Sequence, residues 1–378
     1  MNLGIIMLII AILTVTIAAV QLTIQYREFI EKHKNDPSNA SAKKPFLIKL
    51  LFHNKPGPES KPVPGIEIDS HCQELLAVMT DQTQPAAKRC EAGNALAVSG
   101  DPRFRPDAWF LPAEDLLGFV EIPAGPFQMG KDLPGAAGKD ARQSPLHEVA
   151  LETFFIGRFP VTVRQYQVFL SETGTSNPAG IQPGLDNHPA VSLSWYEALQ
   201  YCHWLTQHLR DWPDTPTALG ELLRSTRSER AWVVTLPSEA EWEKSARGMF
   251  DARAYPWGPQ PDPNKANYRQ TAIKAASTVG CFEGGCSPYK IHDLSGNVLE
   301  WTRSNWGSDV EVVKFKYPYD PEDGREDIRL PDTMLRIMRG GSFSSPAEDI
   351  LCSCRSADLP DARYDHVGFR LVITQMPR

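Results

Sequence analysis

The chain lacks any excess of positive charge: 39 Lys and Arg stand against 46 Asp and Glu, a formal net charge of -7. That balance excludes a general nucleic-acid binder, which presents a basic stripe. No Lys or Arg precedes the apolar run from Leu3 to Ile24, so the basic start of a cleaved secretory leader is missing. The seven cysteines cannot all pair within the chain, and a chain of 378 residues does not need disulfides for its core. Reduced thiols in a cytoplasmic domain are the expectation. Long helices are also disfavoured, because 26 Gly and 32 Pro interrupt the sequence. Nine Trp are available instead as anchors for a loop-rich fold.

The run Leu3 to Ile24 is uncharged and close to the roughly 20 residues that cross a bilayer as a helix. It is expected to be an uncleaved single-pass anchor in the cell (inner) membrane. Arg27, Lys32, Lys34, Lys43, Lys44 and Lys49 follow it, which by the positive-inside rule leaves the globular part cytoplasmic. The same lysines fit a solvated linker in either orientation; the missing N-terminal charge tips the reading. The expected domains are an anchor (1–25), a flexible tether (26–65), a small helical preface (66–110) and a main domain (115–378). In the preface, apolar residues between Cys72 and Val98 predict two short helices joined at Thr80 to Pro85.

In the main domain, Gly118 to Gly130 alternates like a strand, a turn and a second strand, and His147 to Ile156 reads as a further strand. Three pairs have capping-box spacing: Thr162 with Gln165, Ser194 with Glu197, and Ser238 with Glu241. They open helices over Val163 to Leu170, Trp195 to Leu209 and Glu239 to Arg247. Residues 210 to 230 are expected to be an insertion with a short helix of its own. Trp195, Trp242, Trp257 and Trp301 are the expected anchors, and Arg370 is expected to be buried against carboxylates. Glu239, Glu241 and Glu243 are expected to be solvated or capping.

Several motifs occur in order: Val120-Glu-Ile-Pro-Ala-Gly-Pro-Phe-Gln-Met-Gly130, Leu236-Pro-Ser-Glu-Ala-Glu-Trp-Glu243, Tyr255-Pro-Trp-Gly258, Asp293-Leu-Ser-Gly-Asn-Val-Leu-Glu-Trp301, Arg339-Gly-Gly-Ser-Phe343 and Gly368-Phe-Arg370. Together they resemble the formylglycine-generating-enzyme (sulfatase-modifying-factor) family over about residues 118 to 374. The resemblance implies an α+β, C-type-lectin-like fold with short antiparallel strands and a few helices. It also implies calcium held by Asp293, Glu300 and the carbonyls of Gly296 and Val298. Two carboxylates enclosing a glycine turn suit such an ion, and a metal-free hydrogen-bonded turn is the alternative. A second family calcium site, after Asn267, falls in a shortened stretch.

The resemblance places two oxidase cysteines after the Gly-Gly-Ser-aromatic element, five residues apart. Ser345 and Ile350 stand there, and neither can form a thiolate or bind copper(I), so no copper is expected. Cys352 and Cys354 lie nearby, on one face if the backbone is extended. They could be ordinary small residues, a shifted redox pair, or ligands of a soft metal together with Cys281 and Cys286. The iron-dependent sulfoxide-synthase branch of the family needs a helical bundle for which the residues before 118 are too few.

The segment between Arg339-Gly-Gly-Ser-Phe343 and Val367-Gly-Phe-Arg-Leu-Val372 also resembles the variable proteins of diversity-generating retroelements, in which this stretch is the hypermutated ligand-binding surface. The candidate binding residues are Phe343, Ser344, Ser345, Ser353, Ser356, Asp358, Ala362, Tyr364, Asp365 and His366, a Tyr/Ser/Asp mixture like that of a paratope. The expected function is therefore a membrane-anchored, non-catalytic module recognising a protein or other macromolecular ligand, touching the bilayer through residues 3–24 and not binding nucleic acid. The alternatives are an oxidoreductase using the shifted cysteine pair and a scaffold subunit working through residues 66 to 110.

Overall fold

The computed structural model describes residues 69–132, 138, 141–176, 185–225, 230–249 and 251–376. The expected anchor and tether lie outside these residues. Among the described residues no helix is long and apolar enough to cross a membrane.

The described chain begins with α1 (Ser70–Thr80) and α2 (Ala86–Ser99). The Asp69 carboxylate caps α1, and Gly100, at φ 98°, ends α2. The apolar side of this hairpin is turned onto the main domain: Met79, Cys90 and Leu96 pack with Cys281 and Phe282. Polar contacts fix the docking. Buried Arg89 donates to the carbonyls of Cys281 and Asn264, both at 2.8 Å. Asn187 donates to the Gly93 carbonyl at 3.0 Å, and His188 Nε2 lies 2.8 Å from Asn94 Oδ1.

A two-stranded pair follows, β1 (Phe104–Arg105) and β2 (Leu111–Pro112), then β3 (Phe119–Ile122), β4 (Gly125–Met129), β5 (His147–Leu151) and β6 (Phe154–Gly157). The single strand expected over His147 to Ile156 is thus two strands. β5 pairs with β4 as a separate hairpin, whereas β6 joins a four-stranded sheet. Next come α3 (Val163–Thr173), α4 (Trp195–Asp211), α5 (Thr217–Leu223), β7 (Trp232–Thr235) and α6 (Glu239–Arg247). The three expected capping boxes are present with both reciprocal bonds, and α5 is the short helix expected in the insertion. The C-terminal third supplies β8 (Leu299–Gly307), β9 (Leu335–Arg339), β10 (Ser356–Asp358), β11 (Val367–Phe369) and β12 (Val372–Gln375).

One sheet has the order β3-β6-β12-β7 and is antiparallel throughout; the other has the order β10-β9-β8-β11, with β11 parallel to β8. Only Arg370 and Leu371 separate β11 from β12, so the chain passes from one sheet to the other at Arg370. Its guanidinium takes both oxygens of Glu300 on β8, at 2.7 and 2.8 Å, and also donates to the carbonyls of Gly157 and His292. Fully buried, Arg370 ties the two sheets together, as the carboxylate expectation required. Trp195 and Trp301 are buried cross-ties too, each indole N–H donating to a carbonyl on the other's side, of Thr302 and of Leu193.

All nine residues of α6 are buried, which corrects the expectation for Glu239 and Glu243, while Glu241 is capping as that expectation allowed. Glu239 accepts from Arg355 at 2.7 and 2.8 Å and from the Tyr317 hydroxyl. Glu241 closes its capping box, pairs with Arg303 and accepts from Thr374. Glu243 accepts from the Gly130 amide and pairs with Arg247 and Arg339. A charge buried this deeply is tolerated only when paired, and removing one partner costs about 3–5 kcal/mol. Glu239→Ala is therefore expected to lower unfolding stability by about that amount in urea denaturation. The double variant with Arg355→Ala should cost less than the sum of the single changes, because it leaves no orphaned charge.

His188 gives the hairpin contact a pH dependence. Burial pushes its pKa down from 6.5 to about 4, so between these values the unfolded chain binds the extra proton. Stability from the neutral imidazole is full above the unfolded value and is lost as the pH falls toward the folded one, on the order of 2–3 kcal/mol. Thermal melts of the wild type should show this falling limb, and His188→Gln should flatten it.

Candidate functional site

The C-terminal segment starts where β9 ends, at Gly340 and Gly341, whose φ angles of 94° and 68° lie in the left-handed region. A Cβ on Gly341 would stand 2.6 Å from the Asp349 carbonyl oxygen, so glycine is required for the chain to turn this tightly. The following turn is held from both sides. The Ser342 amide donates to Ser345 Oγ, the Phe343 amide donates to the Asn297 carbonyl, and Arg269 grips the carbonyls of Ser344 and Ser345. Ser344 is exposed, while Phe343 and Ser345 are half-buried.

The chain then enters the core. Ile350 and Cys352 are fully buried, and Arg355 follows them as the partner of Glu239. Ser353, expected on the binding surface, is also buried: its hydroxyl donates to Gln143 Oε1 at 2.8 Å and its carbonyl accepts from Arg339. The Ser353 carbonyl serves Arg339, the partner of Glu243 on α6, and that bond draws Ser353 inward. The backbone here is a turn, with the Cys354 amide donating to the Leu351 carbonyl. Cys352 and Cys354 therefore do not share an extended face; the first is buried and the second half-buried.

Beyond Arg355 the chain returns to the surface. β10 is an edge strand paired only with β9, and it places Ser356 and Asp358 half-buried at that edge. The loop from Leu359 to His366 is fastened to the start of α4 by its backbone. The Trp195 amide donates to the Pro360 carbonyl, the Ser192 amide donates to the Tyr364 carbonyl, and Arg363 reaches the Glu197 carboxylate at 3.0 Å. The remaining side chains are left outward. Tyr364 is 40% exposed and Leu359 43%. The Tyr364 hydroxyl donates to Asp358 Oδ2 at 2.9 Å, and this bond raises its pKa. Asp365 is exposed beside His366, whose Nδ1 lies 3.0 Å from the carboxylate, and the His366 ring lies 5.4 Å from that of Tyr364. Ala362 is half-buried in the same loop.

Both loops meet one segment. Asn297 accepts from the Phe343 amide, and two residues later the Leu299 amide donates to the His366 carbonyl. Phe343, Ser344 and Ser345 thus lie on one side of Asn297–Leu299, and the loop ending at His366 lies on the other. Sequence reasoning missed Leu359, the most exposed apolar side chain of this loop, and the pair formed by the Tyr196 hydroxyl and the Asp332 carboxylate. Leu359 had a legible signal, an apolar residue isolated between Asp358 and Pro360-Asp361. Tyr196 had none, because its neighbours are helix-core residues.

The expected calcium ligands are arranged for a different purpose. Both oxygens of Glu300 are taken by Arg370, and Oε2 also accepts from the Trp242 indole at 2.7 Å. Asp293 Oδ2 accepts from the Gly280 amide at 2.7 Å. Gly296 is packed so that a Cβ would lie 2.3 Å from the Asn267 carbonyl oxygen. A calcium ion bound by Glu300 would have to share its carboxylate with a buried guanidinium whose charge repels the ion, so Glu300 does not fit as a calcium ligand. Cys281 and Cys352 belong to separate apolar clusters, which excludes the soft-metal arrangement with Cys286 and Cys354. Among the described residues no group of three or more His, Cys, Asp or Glu could hold a metal.

The profile of the sulfatase-modifying factor enzyme 1-like domain matches residues 111–375. The chain belongs to this family. It is 29% identical to the formylglycine-generating enzyme of Thermomonospora curvata, a match covering 68% of this chain and 94% of that one. It is 26% identical to the serine/threonine-protein kinase pkn1 of Chlamydia caviae, covering 64% of this chain but only 36% of the kinase. Bovine inactive C-alpha-formylglycine-generating enzyme 2 is also 26% identical, over 67% of this chain and 87% of its own length. Among solved structures, PvdO from Pseudomonas aeruginosa (TM-score 0.49, 23% identity) and Treponema denticola variable protein 1 (TM-score 0.48, 22% identity) each cover 68% of this chain, and 93% and 95% of their own.

In this family member, the two positions that the sequence resemblance assigns to oxidase cysteines are a serine in a turn and an isoleucine packed under Tyr255 and Tyr268. The nearest thiol, Cys352, is fully buried, and burial pushes its pKa up to about 12, so it is a poor nucleophile. In native protein Cys352 is expected to stay unmodified by a maleimide and to react only after denaturation, as peptide mapping would show. Modification of native Cys352 on the timescale of an exposed thiol would contradict this assignment.

Proposed function

We propose that the protein is a non-catalytic member of the sulfatase-modifying factor family, and that it binds a macromolecular ligand through the surface carrying Phe343, Ser344, Ser345, Ser356, Asp358, Ala362, Tyr364, Asp365 and His366. One observation carries the proposal. The loop from Leu359 to His366 is fastened through its backbone to the start of α4, while Tyr364, Leu359 and Asp365 stay outward. Aromatic and polar side chains held on a fixed backbone bind at low entropic cost. Asp358, Asp361 and Asp365 make this surface acidic, which favours a partner with basic groups and disfavours nucleic acid. The absence of thiols at positions 345 and 350 supports the non-catalytic part, and the family includes a bovine member named as inactive. Retroelement diversification of the segment from Ser344 to His366 belongs to the same proposal, supported by the motif frame on either side. So does attachment to the cell membrane through residues 3–24, with the globular part cytoplasmic, which rests on the apolar run and the lysines after it.

The test compares the wild-type chain with Tyr364→Ala and Leu359→Ser, two exposed changes expected to leave the melting temperature within a few degrees. Partners captured by the wild type and lost by both variants are the expected result, together with no conversion of a cysteine-containing peptide to its aldehyde under air with copper(I). Aldehyde formation, or capture indifferent to both substitutions, would overturn the proposal. A near-repeat of the coding sequence for this segment beside the gene, differing only at adenines, is the expected signature of diversification.

A further inference from the structure

Two thiols face each other where the helical hairpin docks. Cys90 on α2 and Cys281 in the loop after Gly280 have their sulfurs 3.5 Å apart, and both side chains are buried. The segments carrying them are already locked together beside the pair, because Arg89 donates to the Cys281 carbonyl at 2.8 Å and its guanidinium lies over the ring of Phe282. The Cys281 loop is also fixed, because the Cys281 amide donates a hydrogen bond to the Thr278 carbonyl. Bonded sulfurs stand about 2.05 Å apart, so the pair needs to close by about 1.5 Å, within reach of small rotations of two short side chains. The third thiol of the cluster, Cys72, is directed elsewhere, toward the carbonyls of Gly100 and Ser99 at 3.4 and 3.8 Å. A disulfide between these positions would join residues far apart in sequence, the case in which a cross-link restricts the unfolded chain most.

We propose that Cys90 and Cys281 form a reversible disulfide that staples the α1–α2 hairpin to the main domain, with a low-molecular-weight disulfide of the glutathione type as oxidant. Cys90, at the rim of the cluster with 6% exposure against none for Cys281, is the entering sulfur. The hydrogen bond from the Cys281 thiol, and after it the positive charge of Arg89, favour its thiolate. The Cys90 thiolate attacks one sulfur of the oxidant and releases one thiolate, giving a mixed disulfide. Cys281 then loses its proton, attacks the Cys90 sulfur and releases the second thiolate. The two protein thiols together give up two electrons and two protons, and the oxidant becomes two thiols. Oxidation thereby fixes the hairpin, and reduction leaves it held by noncovalent contacts, among them those of Arg89, Asn187, His188, Asn264 and the apolar cluster.

The full chain, incubated or refolded with oxidised glutathione, is alkylated and mapped by peptide mass spectrometry. The expected result is a single intramolecular linkage between Cys90 and Cys281, a melting temperature raised by roughly 5–10 °C, slower proteolysis between the hairpin and β1, and reversal by dithiothreitol. Cys90→Ser and Cys281→Ser should each abolish the linkage and the shift, whereas Cys202→Ser should change neither. If the serine variants fold poorly, the map of the wild type still decides the outcome. Linkage to Cys72 or to another cysteine, or free thiols at both positions after oxidative refolding, would overturn the proposal.

Discussion

Helix α6 is enclosed on every side, and three carboxylates are buried with it. Glu239, Glu241 and Glu243 cannot reach water, so each requires a cation brought to it from elsewhere in the chain. Arg303 comes from β8, Arg339 from β9, Arg325 from the long connection between them, and Arg355 from the segment before β10. The helix thereby dictates where four later parts of the chain must run. Glu300 and Arg370 repeat the device at the junction of the two sheets, and the Trp242 indole links the two sets by donating to Glu300. A fold with short strands and many loops gains from this a directional specificity that apolar packing alone does not supply.

The same constraint divides the C-terminal segment. Arg355 must reach Glu239, so the residues just before it are pulled into the core, and Ile350, Cys352 and Ser353 are buried with them. The chain is free to face solvent only before and after that anchor. The two outward loops reach the same short segment from opposite sides, Phe343 bonding to Asn297 and His366 to Leu299. The candidate residues that stay outward are therefore split between two loops, with the buried residues Ile350, Cys352, Ser353 and Arg355 between them in sequence.

Sulfur chemistry is distributed by the same logic. Cys202 and Cys352 are packed in apolar surroundings, and burial raises both pKa values, which makes them inert filling. Cys90 and Cys281 differ, because each supplies the other's polar contact across an interface between two parts of the chain.

Much of the frame was legible in the sequence. Capping boxes are local, so Thr162, Ser194 and Ser238 announced their helices, and the ordered Gly, Trp and Arg motifs announced the family. The lack of thiols at positions 345 and 350 was legible too, since serine and isoleucine carry none wherever they lie. The burial of Glu239, Glu241 and Glu243 was not legible, because a glutamate on a short helix looks solvated until its arginine partners, tens of residues away, are placed. Ser353 and Glu300 were misassigned for the same reason: a hydroxyl that serves Gln143 and a carboxylate that serves Arg370 resemble a contact residue and a calcium ligand when read alone. Sequence determined what each residue is able to do, and its helix starts and turns, because those depend on neighbours within a few positions. Tertiary structure decided which groups are already engaged, because a buried charge or hydroxyl is satisfied by partners that only the folded chain brings within bonding distance.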